Sequence, residues 1–295
     1  MSARPSSARP LLAVDGPSLL YRAFFALPDS ITDEEKRPVN ALLGMTNLIL
    51  YTIEEHPPRA VVVCFGAEAA AYRKELYAPY HAERPPVPDG LEWQFAHAPE
   101  FFAAFGWETV HSEDLEADDL LHSLAAVETE AGGRALLLTG DRDMFQCASE
   151  NVGVLYVKTG TKGTEEVGPQ EVQRRYGVAP QLVPDFIALR GDPSDGLPGA
   201  KGVGEKTAAD LLRRHGSLEA AIAGWVGESP RVRSALRDQA AELQRFKEIA
   251  TLRLVALERP SDRPTDHAAA ARAARGLGMN RLGERLEKAA AAVTS

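Results

Sequence analysis

Eight acidic residues stand in short segments whose composition indicates turns or helix starts. Carboxylates gathered at one place repel one another, which raises their pKa values or destabilises the fold unless hard cations such as Mg²⁺ or Mn²⁺ lie among them. Two such cations about 4 Å apart can promote hydrolysis of a phosphodiester. The candidate metal ligands are Asp15, Glu116, Asp118, Asp119, Asp141, Asp143, Asp192 and Asp195.

Each acidic motif taken alone also fits a structural role. Asp15 precedes a glycine, and Asp-Gly is a common turn pair. Acidic residues at a helix start, as in EADD (116–119), serve as caps and as partners of the helix dipole. Glu116 and Asp119 are three apart and are expected to share a helix face, whereas Asp118 points elsewhere unless the helix begins there. Only together do the motifs favour one metal site.

Short apolar runs that end in turns alternate with helical patterns at 40–55 and 118–131. This alternation predicts an α/β fold, with a mostly parallel central sheet flanked by helices. Functional sites in such sheets form at the carboxyl ends of the strands. The predicted strands end at Asp15, Phe65, Val110, Thr139 and Val157.

Amino-acid composition and the pattern of predicted strands and turns divide the chain into three parts. Residues 1–10 are expected to form a flexible arm, and 11–180 the α/β core with an irregular excursion at 77–95. The strand signal fades beyond about residue 180, which indicates a helical lobe at 181–295. Within its alanine-rich end, helical spacing favours a packed terminal helix over disorder, from the positions of Leu277, Leu282 and Leu286.

Composition also limits the class of protein. No run approaches the roughly 18 apolar residues needed to span a bilayer, and the arm lacks the apolar core of a secretory signal. A cytoplasmic protein is therefore expected. Cys64 and Cys147 lack paired spacing and are expected to be reduced thiols. The net charge of −9 argues against nucleic acid until the eight carboxylates are assigned to metal ions.

Six segments occur in a fixed order along the chain: VDGPSLLYRAFFALP (14–28), YRKELY (72–77), YHAERPP (80–86), LEADDLL (115–121), LLLTGDRDMFQ (136–146) and DFIALRGDPSDGLPGAKGVGEKTAADLL (185–212). They resemble the 5′ nuclease, or flap endonuclease, family, especially the 5′-to-3′ exonuclease domain of bacterial DNA polymerase I. The family implies a PIN-like nuclease core, a helical arch at 77–95 threaded by single-stranded 5′ flaps, and a helix–three-turn–helix near 185–220 that binds duplex DNA. The chain ends without a polymerase-like region and is expected to be free-standing and monomeric.

Carried over by position, the resemblance assigns two or more Mg²⁺ or Mn²⁺ ions to the eight acidic residues. Arg22, Arg73 and Arg84 fall on basic residues near the scissile phosphate or flap and are the catalytic candidates. The hairpin GVGEKT (202–207) would bring backbone amides to a phosphate without reading sequence, and the family also holds K⁺ there. The candidate DNA-binding residues are Lys201, Gly202, Gly204, Lys206, Thr207 and His81.

The resemblance implies a structure-specific flap endonuclease and 5′-to-3′ exonuclease acting on branched or flapped DNA in replication or repair. Two positions depart from the family. His81 stands where lysine is frequent, and Phe65-Gly66-Ala67 replaces Phe-Asp-Ala. The glycine is either tolerated, with water or Glu68 covering the gap, or it leaves a catalytically weakened flap-binding protein. We expect a higher Mg²⁺ requirement or a preference for Mn²⁺, reversed by Gly66→Asp.

Two other interpretations concern single motifs. A Toprim-type site also combines a glutamate with Asp-x-Asp after a strand, but it explains neither VDGPSLLYRAFF nor GDPSDG followed by GVGEKT. Tyr21, Phe24 and Phe25 fit either stacking on a displaced base or burial in the core.

Overall fold

A computed structural model describes residues 9–158 and 163–294, so most of the predicted arm at 1–10 lies outside the described residues. The centre is a six-stranded sheet in the order β3-β2-β1-β4-β5-β6. The first five strands are parallel, and β6 is antiparallel to β5, which confirms the predicted mostly parallel sheet. The strands are β1 (Leu11–Asp15), β2 (Ala60–Phe65), β3 (Glu108–His111), β4 (Ala135–Thr139), β5 (Val152–Val157) and β6 (Thr164–Val167).

The three central strands are buried along their whole length. Their continuous apolar sequences, LLAVD, AVVVCF and ALLLT, are typical of parallel strands covered on both faces. Sequence reasoning missed β6, whose four residues, TEEV, carry two glutamates and lie at the sheet edge. Pairing with β5, more than local sequence, makes this segment a strand.

The strand order reverses between β1 and β4, as in doubly wound sheets, where ligands bind outside the carboxyl ends at the reversal. Because β1 pairs with both β2 and β4, Asp15 lies between the ends of its two neighbours. The segments beginning at Gly66 and Gly140 therefore flank Asp15.

Helices cover both faces of the sheet. The first hydrophobic core joins one face to α1, α2, α4, α12 and α13, and the second joins the other face to α5 to α11. No described helix is long and apolar enough to cross a membrane. The helices are α1 (Gly16–Ala26), α2 (Asn40–Glu55), α3 (Ala71–Leu76), α4 (Asp89–Ala103), α5 (Ala117–Glu130), α6 (Pro169–Tyr176), α7 (Val183–Arg190), α8 (Glu205–His215), α9 (Leu218–Ala223), α10 (Pro230–Asp238), α11 (Ala240–Ala250), α12 (His267–Gly276) and α13 (Asn280–Thr294).

The C-terminal part of the predicted helical lobe at 181–295 lies elsewhere in the structure. Residues 251–266 form neither helix nor strand and return along the α/β core, where the Arg263 amide donates to the Arg59 carbonyl. The helices α12 and α13 then pack on the first core, with Leu282 and Leu286 buried. The packed terminal helix is confirmed, but its apolar face belongs to the core and the helical lobe ends near residue 250.

The segment 77–95, expected to be an irregular excursion or a helical arch, has two unlike halves. Its second half begins α4, because Leu91 and Gln94 turn inward toward α2, where Gln94 Oε1 accepts from the Leu42 amide at 3.0 Å. Its first half forms turns in which Tyr80 is buried, whereas residues 78–79 and 82–86 are exposed. Residues 77–88 contain no helix.

Candidate active site

A pocket opens at the carboxyl ends of β1, β2 and β4, where the strand order reverses. An adjoining pocket shares Asp141 and Asp143 with it and adds Asp192. The parallel strands thus bring together segments that are far apart in the sequence. Six of the eight predicted metal ligands line the first pocket: Asp15, Glu116, Asp118, Asp141, Asp143 and Asp195.

Asp15 serves both as a helix cap and as part of the pocket. Its Oδ1 accepts from the Ser18 amide at 3.1 Å at the start of α1, and its Oδ2 accepts from the Thr139 hydroxyl at 2.6 Å. The residue is 3% exposed, and burial raises the pKa of its carboxyl. The turn-cap and pocket interpretations of this motif are therefore compatible.

Glu116 is held by three donor residues from two other segments. Its Oε1 accepts from the Ala70 amide at 2.8 Å and faces Arg73 Nη1 at 2.8 Å. The Tyr80 hydroxyl lies 3.2 Å from Oε1 and 3.0 Å from Oε2. Because most donors converge on Oε1, Oε2 is the oxygen better placed to bind a further group.

Three of the remaining pocket carboxylates, Asp118, Asp141 and Asp143, have raised pKa values. Burial and neighbouring carboxylates raise the pKa values of Asp118 and Asp143 well above their usual range. Burial, opposed by an amide hydrogen bond from Asp143, raises the pKa of Asp141 to about 6. Coulomb repulsion from Asp195 and Asp15 adds to this rise. The pocket therefore favours any bound group that brings positive charge.

The donor set fits hard divalent cations. No hydrogen bond or ion pair from a described residue reaches the side-chain oxygens of Asp118 or Asp143, and carboxylate oxygens are the ligands that Mg²⁺ and Mn²⁺ prefer. Within the described ranges, no three Asp, Glu, His or Cys side chains converge into a ready-made metal site. A bound cation would offset the repulsion between these carboxylates.

Asp119 shares Arg73 with Glu116 but, unlike Glu116, lines neither pocket. Since α5 begins at Ala117, Glu116 is the residue before the helix and Asp118 faces the pocket. Asp119 is fully buried behind it, where its Oδ1 accepts from Arg73 Nη2 at 3.0 Å and from the Arg253 amide at 2.8 Å. The structure therefore places Asp119 among the supports of the pocket.

Asp192 and Asp195 lie on different sides of their turn. Asp192 accepts from the Ser194 amide and from Arg190 Nη2, both at 2.9 Å, and lines only the adjoining pocket. Asp195 reaches the first pocket, where its Oδ1 lies 3.0 Å from His81 Nε2. Of this pair, only Asp195 is among the six carboxylates that line the first pocket.

The predicted cationic residues occupy three different environments. Arg22 lines the adjoining pocket and donates from Nη2 to the Gly140 carbonyl at 2.5 Å. Arg73 is 2% exposed and bridges Glu116 and Asp119, so it supports the acidic cluster. Arg84 is partly exposed at the pocket rim, with Nη2 3.2 Å from Asp195 Oδ1. Of the three, Arg84 is the most accessible to a phosphate in the first pocket.

Gly66 does not leave a cavity that a carboxylate could fill. A Cβ atom at this position would lie 2.3 Å from the Ala117 amide nitrogen and 2.5 Å from the Leu115 carbonyl oxygen. The Ala67 amide donates to that same carbonyl at 2.8 Å. The backbone before α5 occupies the space of a side chain, so Gly66→Asp cannot restore a ligand without moving α5. Glu68 is exposed at the pocket rim.

The GVGEKT hairpin joins α7 to α8 at the surface of the helical lobe. Gly202 has a φ of +76°, a left-handed conformation that favours glycine. Gly204 precedes α8 without a side-chain cap, and a Cβ there would meet nothing within 4 Å. Lys201 and Lys206 are exposed beside it, and Thr207 lies in the first turn of α8. This arrangement leaves an exposed helix start where two lysines stand against one acidic residue, Glu205.

Sequence reasoning missed four supporting residues of the site. Ser18 and Thr139 hold Asp15, Tyr80 holds Glu116, and Arg190 holds Asp192. Tyr80 adjoins His81, its ring stacked on the imidazole at 3.9 Å between centroids, so YHAER was the signal that could have revealed it. The other three residues follow apolar elements and carry no distinctive pattern.

An acidic pocket at the reversal of a parallel sheet, with a glycine hairpin on an adjoining helical lobe, defines a nuclease-type α/β protein. Residues 10–177 match the family model for the N-terminal resolvase-like domain of 5′-3′ exonucleases. Residues 178–264 match the C-terminal SAM fold of the same enzymes. The chain therefore belongs to the 5′-3′ exonuclease family.

Relatives and a solved structure extend this similarity. DNA polymerase I of Mycobacterium bovis is 36% identical over 243 residues, covering 82% of this chain and 27% of the polymerase. The 5′-3′ exonuclease of Aquifex aeolicus is 35% identical over 215 residues, covering 73% of each chain. The bacteriophage T5 flap endonuclease, solved in a complex with DNA and metal ions, has a TM-score of 0.69 at 16% identity, covering 96% of this chain and 99% of that chain. The chain thus spans about a quarter of the polymerase and shares the fold of the T5 protein.

Proposed function

We propose that the chain is a structure-specific 5′ nuclease that hydrolyses phosphodiesters of flapped DNA with divalent cations. The pocket of six carboxylates carries this proposal, because two of them, Asp118 and Asp143, have no side-chain partner among the described residues. Membership of the 5′-3′ exonuclease family supports the same substrate class. Mg²⁺ or Mn²⁺ suits this oxygen-only donor set.

The residues of the pocket would divide the work. Bound divalent cations would polarise the phosphodiester and activate water. Ala70 and Tyr80 orient the Glu116 carboxylate, and Arg84 at the rim is close enough to stabilise phosphate charge after leaving Asp195. The carboxylates that would hold the cations are Asp15, Glu116, Asp118, Asp141, Asp143 and Asp195.

The helical lobe would bind the duplex part of the substrate. The uncapped start of α8, with Lys201 and Lys206 exposed beside it, can contact phosphates without reading bases. The T5 flap endonuclease, which shares the fold, was solved with DNA and metal ions. K⁺ bound by hairpin carbonyls is part of this proposal, tested by comparing duplex affinity in potassium and lithium salts.

Cleavage of a labelled 5′-flap substrate tests the nuclease proposal. We expect cleavage with Mg²⁺ or Mn²⁺, and at least about a hundredfold loss in Asp141→Asn, because a neutral amide binds the divalent cations proposed to act on the phosphate less well than a carboxylate. Asp114→Asn makes the same chemical change at an exposed residue outside the pocket and should cleave normally. Cleavage retained in Asp141→Asn would count against this site.

Binding of the same flap in Ca²⁺ distinguishes the second candidate function, a flap-binding protein with weakened catalysis. Gly66 motivates this candidate, because the backbone before α5 excludes a carboxylate there. Tight binding without cleavage in either Mg²⁺ or Mn²⁺ would favour it. Cleavage that requires more Mg²⁺ than the Aquifex aeolicus relative would instead favour an active nuclease with a reduced ligand set.

A further inference from the structure

Residues 249–253, at the end of α11 and just beyond it, connect the helical lobe to the acidic pocket. This segment, here the 249–253 brace, includes pocket-lining residues at Ile249, Ala250 and Leu252. The preceding helix α11 packs against α7, which leads to the glycine hairpin. The brace therefore lies between the elements proposed to bind duplex and those that carry the carboxylates.

On one side the brace contacts α3 and the start of α5. Arg73 Nε donates to the Ile249 carbonyl at 3.0 Å, and the Arg253 amide donates to Asp119 Oδ1 at 2.8 Å. The guanidinium of Arg253 lies 3.3 Å from the centre of the Tyr72 ring. Because Arg73 also pairs with Glu116, the brace reaches that carboxylate through one buried side chain.

On the other side the brace is bonded to the 3-10 helix Asp143–Cys147. Gln146 Nε2 donates to the Ala250 carbonyl and to the Asp143 carbonyl, both at 2.9 Å. Gln146 Oε1 accepts from the Leu252 amide at 3.1 Å. One side chain thus joins two backbone positions of the brace to the turn that carries Asp143.

We propose that Gln146 and Asp119 are positioning residues that hold the metal-binding carboxylates of two separate segments through the 249–253 brace. This proposal rests on the proposed metal-dependent function. Neither residue lines either pocket. Gln146 sets the backbone at Asp143, and Asp119 fixes Arg73 and hence Glu116. A movement of α11 when duplex DNA binds would therefore change the positions of both Glu116 and Asp143. The brace in this way links DNA binding to the pocket.

Gln146→Ala tests the link by two measurements on the full chain. Mn²⁺ binding without DNA, followed by electron paramagnetic resonance, should weaken about tenfold, as when an outer partner of a metal ligand is lost. Cleavage should lose turnover while KM for flap DNA changes little. Gln146→Glu keeps the oxygen that accepts from the Leu252 amide but loses both donated hydrogen bonds. Its Mn²⁺ affinity should therefore lie between those of Gln146→Ala and the wild type.

Gln239→Ala is the matched control, since Gln239 also bonds a backbone amide, that of Lys201, at 2.8 Å, but beside the hairpin. We expect it to raise KM and leave Mn²⁺ affinity unchanged. If both variants shift metal affinity alike, Gln146 acts only through general stability and the proposal is overturned. Thermal unfolding of each variant verifies that it is folded.

Hydrogen exchange separates failure of the brace from failure of the metal-dependent function. In Gln146→Ala without metal, exchange should become faster at Arg253 and at residues 117–119, beyond the reach of the lost side chain. A change confined to 143–147 and Leu252 would overturn the proposal whether or not the wild type binds Mn²⁺. Wild-type protein that neither binds Mn²⁺ nor cleaves DNA would refute the proposed function alone.

Discussion

The acidic pocket and the glycine hairpin are built by opposite means. The pocket gathers side chains from separate strands and helices, and its carboxylates have pKa values raised by burial and by repulsion from neighbouring carboxylates. The hairpin uses consecutive backbone groups at an exposed helix start, flanked by Lys201 and Lys206. The pocket therefore depends on tertiary packing, whereas the hairpin depends on local conformation.

This difference predicts how the two regions respond to change. A substitution in the pocket alters charge balance and backbone packing at once, because Asp15, Glu116 and Asp119 each bond groups from distant segments. A substitution at Gly204 or Lys206 of the hairpin changes a solvent-exposed surface. Catalysis and stability should follow the pocket, and DNA affinity the hairpin.

The largest expected effect separates two adjacent aspartates. Asp118→Asn should reduce cleavage about a hundredfold or more, because its carboxylate faces the pocket without a partner. Asp119→Asn retains an oxygen that can accept from Arg253 and Arg73, and should lose far less. Single-turnover cleavage and Mn²⁺ titration of both variants provide the measurement. Equal losses of cleavage and of Mn²⁺ affinity in the two variants would indicate that Asp119 also binds the metal directly.

A smaller effect compares glycines of the two regions. Gly66→Asp should lower the free energy of unfolding by about 1–3 kcal/mol, because its Cβ overlaps the backbone before α5. It should not reduce the Mg²⁺ requirement. Gly204→Ala, with open space around its Cβ, should cost less than about 1 kcal/mol. Denaturant unfolding measures both, and a stable Gly66→Asp with improved Mg²⁺ use would show that α5 can move.

The pocket should also make stability depend on pH and on divalent cations. Asp141 has its pKa raised from 3.8 to about 6, so its contribution is present below about pH 4 and is lost as the pH rises through 6. Without divalent cations, Asp141→Asn should therefore gain Tm over the wild type between pH 5 and 7. Mg²⁺ should raise the wild-type Tm in that range. A difference in Tm between Asp141→Asn and the wild type that stays constant across pH would exclude this charge effect.

The smallest expected effect concerns Glu228 in the helical lobe, whose pKa is lowered, whereas that of Asp141 is raised. Glu228 accepts hydrogen bonds from Arg214 and His215, and these bonds hold its pKa at about 2, below the usual 4.5. Its contribution to stability is present above 4.5 and is lost as the pH falls toward 2. Glu228→Gln should therefore be less stable than the wild type at pH 6, with the difference shrinking in acid. Unfolding free energies at pH 3 and 6 measure this change.

Much of the fold could be predicted because apolar runs and helical spacing are local properties. The central strands follow from LLAVD and ALLLT, which are too apolar to lie at a surface, and α2 from the spacing at 40–55. The edge strand β6 and the return of residues 251–266 to the core could not be predicted, because neighbouring segments determine them. The C-terminal helices had a visible apolar face but no sign of which core would receive it.

The acidic residues show the same division. Their types and positions in the sequence determined the chemistry of the site, because carboxylates after apolar strands meet at one edge of a parallel sheet. Tertiary structure decided which of them face the pocket. Because α5 begins at Ala117, Asp118 lies on the side of the helix that faces the pocket and Asp119 on the side that faces the core. The backbone before α5 occupies the space beside Gly66. Sequence specifies which charges are available, but only packing fixes the direction of each side chain and the space left to it.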